Sequence, residues 1–318
     1  MRVVFLGNAP WSVPSLEALA GATHDVVLVM TRVPRPAGRG NKLVPTPVAQ
    51  MATRLGLPLL EVETMKAGSG FEALREADPD VLAVVAYGEI LPKTVLDVPR
   101  VAPVNVHFSL LPKLRGAAPV QRAILGGEEL TGVTTIRMDE GMDTGPILLQ
   151  ADEAISAEDD GGSLGQRLAV LGGRLLVETL DRLEAGSLVE RPQDETKSTS
   201  APKVRPEDRV VDWSQPAEAI MRLVRALAPE PAALTSFRGK ILKIFRAGSS
   251  NDLMPAFLSL DVGRSLPPGS VVFDAKGGLQ VVTGDGLLRL DEVAPEGRRR
   301  MSGAEFARGY RPVGEILG

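Results

Sequence analysis

The chain has no cysteine and only two histidines, His24 and His107, among 318 residues. The first absence excludes disulfides, thiol nucleophiles and iron–sulfur clusters. The second excludes a zinc site built on several His and Cys, while carboxylate-bound metals stay open. No apolar run reaches the roughly 18 residues of a membrane helix, so no span is expected. The chain enters its first strand directly, without the basic–apolar–small layout of a secretion signal, and a cytoplasmic setting is the expectation. The first turn carries Gly7 alone rather than a Gly-x-Gly-x-x-Gly run, which gives dinucleotide binding little support. Internal repeats and low-complexity segments are also lacking.

Acidic residues are missing from Val26 through Leu60, although the net charge is −4. That stretch holds Arg32, Arg35, Arg39, Lys42 and Arg54. A local basic patch on an acidic protein still grips phosphate. A second cluster, Arg298-Arg299-Arg300, reads by itself as a solvated face. At 44% apolar the chain can bury a full core, and its length suits two domains.

Residues 2–6 and 25–31 read as buried strands, with His24 as a surface turn residue just before the second. A helix is expected from about Pro14. The connection from Arg32 to Pro47 is long and rich in proline, and it reads as an exposed, semi-extended arm. Residues 80–86 form a β-branched central strand, and Tyr87-Gly88-Glu89-Ile90-Leu91-Pro92 leaves its C-terminal end. Leu164, Leu168, Leu171, Leu175, Leu176, Leu180 and Leu183 fall near helical spacing in a core helix over about 163–185. Polar, Pro-containing residues 190–207 read as a linker. A helix over 217–227 and five short strands follow, which suggests a small barrel of the OB type. The expected fold is therefore α/β: a Rossmann-like, mostly parallel sheet in residues 1–189, then an OB-like barrel in 208–318.

The chemistry concentrates between Pro103 and Leu148. Asn105 and His107 lie two apart near the end of an apolar run, so both face one side of a sheet. A second strand leads into the acidic loop Asp139-Glu140-Gly141-Met142-Asp143-Thr144-Gly145. An amide can hydrogen-bond an oxyanion, an imidazole can shuttle a proton, and a carboxylate can fix the imidazole's tautomer. Such a trio suits acyl transfer to an amine without thiol or metal. As isolated residues, Asn and Asp are equally ordinary in turns, and a strand His is more often packed than reactive.

Asn105-x-His107, Ser109-Leu110-Leu111-Pro112, Arg115-Gly116-Ala117-Ala118-Pro119 and Asp143-Thr144-Gly145 resemble the 10-formyltetrahydrofolate-dependent formyltransferases. The Arg-Gly-Ala-Ala-Pro form is most similar to the branch acting on methionyl-tRNA. The likeness continues through residues 36–40, 84–88, 212–214 and 300–302, and so covers nearly the whole chain. It implies Asn105, His107 and Asp143 as catalytic residues. It implies folate contacts at Tyr87, Gly88, Glu89, Ile90, Leu91, Ser109, Leu110, Leu111, Pro112 and Asp139, although core packing is as natural for Leu110 and Leu111. Arg35, Arg39 and Lys42 would meet the acceptor end of initiator methionyl-tRNA, with the barrel as a second tRNA-binding module. The implied protein is a monomer using 10-formyltetrahydrofolate as formyl donor.

Several positions depart from the family pattern. Asn8-Ala9-Pro10-Trp11-Ser12 replaces a Thr-Pro and Phe-Ala layout, Pro34 stands in place of Asp, and residues 228–231 lack the usual Asn-Pro-Trp-Pro. Phe108 stands where a small residue is usual, and either narrows the pocket or turns into the core. Rival readings are a formyltransferase acting on an amino-sugar or other small amine, a hydrolase releasing formate, and a non-catalytic RNA-binding factor. The basic loop and second module weigh against the first two. The polar trio weighs against the third.

Overall fold

The computed structural model describes residues 1–37, 42–249, 266–273 and 278–318. The chain divides into two units. The first comprises Met1–Pro119, Glu129–Ile155 and Gly165–Lys203, and the second Val120–Glu128, Ser156–Leu164 and Val204–Gly318.

In the first unit, β1 (Arg2–Gly7) leads through a 3-10 turn into α1 (Val13–Ala20) and then β2 (Asp25–Arg32). Two short strands, β3 (Arg35–Ala37) and β4 (Lys42–Val44), pair antiparallel, with Arg35 opposite Val44. The semi-extended arm expected from the prolines is therefore a hairpin. Proline withholds one donor, yet a two-stranded pair is all edge, where this costs little.

Thr46 caps α2 (Pro47–Leu55), its hydroxyl accepting from Ala49 N at 3.0 Å. β5 (Leu59–Val62), α3 (Ser69–Glu76), β6 (Val81–Val85), α4 (Lys93–Leu96) and β7 (Ala102–His107) follow. After α5 (Pro119–Gly126) come β8 (Leu130–Arg137), β9 (Ile147–Ala154) and the long α6 (Gly161–Glu184).

The sheet order is β5-β2-β1-β6-β7-β8-β9. The first five strands run parallel, and β8 and β9 are antiparallel additions. All five residues of β6 are buried, as a strand covered on both faces requires. From β1 the chain winds outward to β2 and β5 on one side and to β6 and β7 on the other. The crevice past the ends of β1 and β6 is thus a topological switch point, where open α/β sheets bind ligands.

Leu164, Leu168, Leu175, Leu176 and Leu180 of α6 are buried, while Leu171 and Leu183 are half-buried. His24 is not the surface turn residue expected. It is buried, with Nδ1 3.3 Å from the Met1 amino group and Nε2 3.1 Å from Asp181 on α6.

In the second unit, α7 (Ala217–Leu227) packs on β10 (Ala233–Phe237), β11 (Lys240–Ser249), β12 (Val271–Phe273), β13 (Leu279–Val282) and β14 (Leu287–Pro295). The antiparallel order is β10-β11-β14-β13-β12, a half-barrel, with the two-residue β15 (Met301–Ser302) beside β14. Trp213 is buried and donates to Thr235 Oγ1 at 3.1 Å. Ser302 caps α8 (Gly303–Tyr310) in a reciprocal capping box with Glu305. The likeness at 212–214 and 300–302 thus falls on residues that hold this unit together. Arg300 is not merely solvated: its guanidinium lies 3.7 Å from the Phe245 ring centroid.

Candidate active site

A cavity of about 500 Å³ opens on the first unit beside the ends of β1, β6 and β7. Val84, Ile90, Leu91 and Met138 give it apolar walls, and Asn105, His107, Asp139 and Asp143 its polar positions. An apolar cleft with a few convergent polar groups is the usual form of a small-molecule site.

Alternation along β7 puts Asn105 and His107 into this cleft together. The loop between β8 and β9 brings Asp143 to them. Asn105 Nδ2 donates to Asp143 Oδ1 at 3.4 Å. His107 Nδ1 lies 3.5 Å from Asp143 Oδ2. That oxygen also accepts from Gly116 N at 2.8 Å. Gly116 has φ of 124°, and a Cβ there would stand 2.7 Å from Ala201 O, so both conformation and space select glycine. The three residues picked out in the sequence therefore meet around one carboxylate.

The histidine's two nitrogens have different partners. Nε2 faces Leu114 O at 2.9 Å. A carbonyl only accepts, so Nε2 carries a hydrogen. Nδ1 faces Asp143 and is the nitrogen left to gain or release a proton.

The loop after β6 forms the cavity rim. Ala86 and Gly88 have φ of 44° and 79°, which turn the chain sharply out of the strand. Tyr87, Gly88, Glu89, Ile90 and Leu91 all line the cavity, as does Asp139. Asp139 is engaged within its own loop, accepting from Gly141 N at 3.1 Å and Thr144 Oγ1 at 2.7 Å. Burial pushes the Tyr87 phenol up to about 12.

Ser109, Leu110, Leu111 and Pro112 are not among the lining residues. Ser109 is fully buried and donates to Lys113 O at 2.7 Å, and Leu111 packs with Ile136 and Ile147. Both belong to the packing that carries β7 into the Arg115–Gly116 turn, not to the cavity wall. Arg35 is exposed on the hairpin, and Lys42 stands opposite Ala37 in its register. Arg39 lies outside the described residues.

Several residues that shape the site carry no motif. Asn8 accepts from Thr31 Oγ1 at 2.9 Å and Arg32 N at 2.8 Å, and donates to Tyr87 O, so it ties the ends of β1 and β2 to the rim. The Glu89 carboxylate points back from the rim. It accepts from Thr64 Oγ1 at 2.6 Å and Met65 N at 3.2 Å, and pairs with Arg32 at 3.2 Å. Trp11 and Phe108 meet edge to face at 6.0 Å and close one wall. Phe108 thus does both things open to it, packing toward α6 and lining the cavity.

The linker residues are likewise engaged. Arg191 exchanges two backbone hydrogen bonds with Ile147, and Ala201 N donates to Arg115 O at 2.6 Å. Gln193 Nε2 donates to Asp143 O and Gly145 O at 2.8 and 2.7 Å. Among the described residues no cluster of three or more His, Asp or Glu is placed to hold a metal ion.

Residues 1–180 match the family model described as "Formyl transferase", and residues 203–311 match "Formyl transferase, C-terminal domain". A protein of Geotalea uraniireducens named methionyl-tRNA formyltransferase is 39% identical over 319 residues, covering 100% of this chain and 98% of that one. One of the same name from Methylococcus capsulatus is 42% identical over 318 residues, covering 100% of both. Among solved structures, HypX from Aquifex aeolicus in complex with tetrahydrofolic acid superposes with a TM-score of 0.64 at 18% identity. That match covers 99% of this chain and 48% of the other, and at such identity it shows a shared fold.

Proposed function

The chain belongs to the formyl transferase family, and we propose that it transfers the formyl group of 10-formyltetrahydrofolate to the α-amino group of methionyl-initiator tRNA. The observation that carries this reading is the meeting of Asn105, His107 and Asp143 on one wall of the cavity. Relatives named methionyl-tRNA formyltransferase, alike from end to end, support the choice of amine. The basic segment around the hairpin fits a macromolecular, phosphate-rich amine better than an amino-sugar.

The apolar rim suits a flat pterin, held by the backbone of residues 87–91 with Asp139 beside it. The folate supplies a formyl group already activated on N10. The amine nitrogen first forms its bond to the formyl carbon, and the tetrahedral intermediate then collapses by breaking the carbon–N10 bond, releasing tetrahydrofolate. Asn105 Nδ2 donates to the oxygen as negative charge develops there. His107 Nδ1 takes part in moving the proton released by the amine to N10 of the departing folate, and Asp143 steadies the ring. Ser109 to Pro112 act as scaffold in this reading. Arg35, Arg39 and Lys42 receive the acceptor end of the tRNA, and the half-barrel adds contacts further along it. The enzyme acts as a monomer in the cytoplasm.

The test is direct. The chain is incubated with 10-formyltetrahydrofolate and methionyl-initiator tRNA, and formyl-methionyl-tRNA is measured against free formate. Product on the tRNA is expected. Formate alone, or transfer only to a small amine, overturns the reading.

A further inference from the structure

Gln193 sits in the polar segment after α6, where no helix or strand constrains it. Its amide nevertheless makes four hydrogen bonds, and their chemistry permits one orientation. Nε2 donates to the carbonyls of Asp143 and Gly145 at 2.8 and 2.7 Å. Oε1 accepts from Arg115 Nε and Nη2 at 3.1 and 2.8 Å. Carbonyls only accept and a guanidinium only donates, so a flipped amide would lose all four. Arg115 is in turn held by Glu195 through both guanidinium ends, at 2.8 and 2.7 Å. Its backbone pairs with Thr199 and Ala201.

Gln193 therefore bridges the two turns that form the site. One is Arg115–Gly116, whose Gly116 N–H donates to Asp143. The other is the Asp143–Gly145 turn itself. Asp143 sits at φ of 57°, in the left-handed region that aspartate tolerates at some cost, and the two bonds from Gln193 hold the turn there. With its carbonyl fixed, the carboxylate can meet Asn105, His107 and Gly116 together.

We infer that Gln193 is a positioning residue for formyl transfer, clamping the Asp143 turn to Arg115 so that the carboxylate is presented to His107 and Asn105 in register. The inference deepens the reading of function given above and rests on it for the reaction, while the clamp itself is read without catalysis.

The test uses the full chain with Gln193→Glu, which keeps the size and the acceptor toward Arg115 but replaces the donor by an oxygen that faces two carbonyls. The first readout is hydrogen exchange. The Gly116 amide, bonded to Asp143 Oδ2, should exchange about 10-fold faster or more, with residues 139–146 following and β1, β6 and α6 unchanged. Unchanged exchange at Gly116 overturns the inference, whether or not the unaltered chain transfers formyl groups. Failure of the unaltered chain to formylate methionyl-tRNA overturns the reading of function instead. The second readout is kinetic. Gln193→Glu should lower kcat by about 10- to 100-fold, since small misplacements of a reacting group cost rates of this order, with KM for the formyl donor within about twofold. In an Asp143→Asn background the same change should add little, because both act through one carboxylate. A full multiplicative loss in the double variant, or a rise in KM with kcat intact, overturns the assignment.

Discussion

Asp143 gathers what the neighbouring residues supply. One of its oxygens takes the Asn105 amide, and the other takes Gly116 N and faces the His107 ring. Removing the Asn105 amide should lower the rate of formyl transfer by about 10²–10³, the usual cost of one oxyanion donor. Asp143→Ala should fall in the same range, with circular dichroism and thermal midpoint close to those of the unaltered chain. Asn105→Ala with undiminished turnover would remove that amide from the reaction. Tyr87 gives a separate test through pH. Its phenol is pushed up to about 12 by burial, against an ordinary value of 10.0. Below pH 10 both folded and unfolded chains keep the proton, and the shift has no effect on stability. Between about 10 and 12 the unfolded chain loses it while the folded chain retains it, so stability falls as pH rises through that window. Absorbance titration should show one of the two tyrosines ionising late, and Tyr87→Phe should abolish that late step.

At the scale of elements, α6 shows why a good helix keeps glycines in its middle. Gly165 faces Trp11 so closely that a Cβ would stand 2.3 Å from the indole Cζ2, and at Gly172 it would stand 2.9 Å from Val106 and 3.3 Å from Phe108. Alanine would gain about 1 kcal/mol in helix propensity at either position. Overpacking a core typically costs about 1–3 kcal/mol, and the rigid indole ring has to move, so the clash wins at Gly165. Gly165→Ala should lower the thermal midpoint and reshape the Trp11–Phe108 wall, visible as altered tryptophan fluorescence. The departures at Trp11 and Phe108 are thus accommodated on the helix opposite them. Much of this level was legible in the sequence, because continuous β-branched runs such as Val81–Val85 and leucines at helical spacing state their burial directly. The hairpin was not legible, since prolines in its arms argue against strands and only the pairing of Arg35 with Val44 shows them. Gln193 was not legible either. Hydrogen bonds from a side chain to distant carbonyls leave no period, and a polar segment with prolines reads as linker until its partners are seen.

At the scale of the molecule, a net charge of −4 coexists with a basic segment on one hairpin. Attraction to a polyanion must then come from that local patch, against a weakly repulsive whole. Arg35→Ala should raise KM for tRNA several-fold, leave KM for the folate nearly unchanged, and reduce the log–log salt slope by about one. Equal loss for both substrates would contradict the assignment of the hairpin. The trio at the site was legible because Asn105 and His107 share one strand at a spacing of two. The acidic loop was legible too, but the resemblance singled out Asp143 within it, since nothing local in a turn says which of its carboxylates will face a distant strand. His24 was misplaced for a related reason: its ring is buried, and its partners Asp181 and Glu184 lie far along the chain on α6.

The Arg32–Glu89 pair joins the last residue of β2, where the hairpin begins, to the rim of the cavity. On the function proposed above, tRNA at the hairpin and folate at the rim would share this ion pair, and coupling between the two substrates is the expected outcome. In Glu89→Gln the Michaelis constant for either substrate should cease to vary with the concentration of the other, turning an interdependent pair of saturation curves into separate ones.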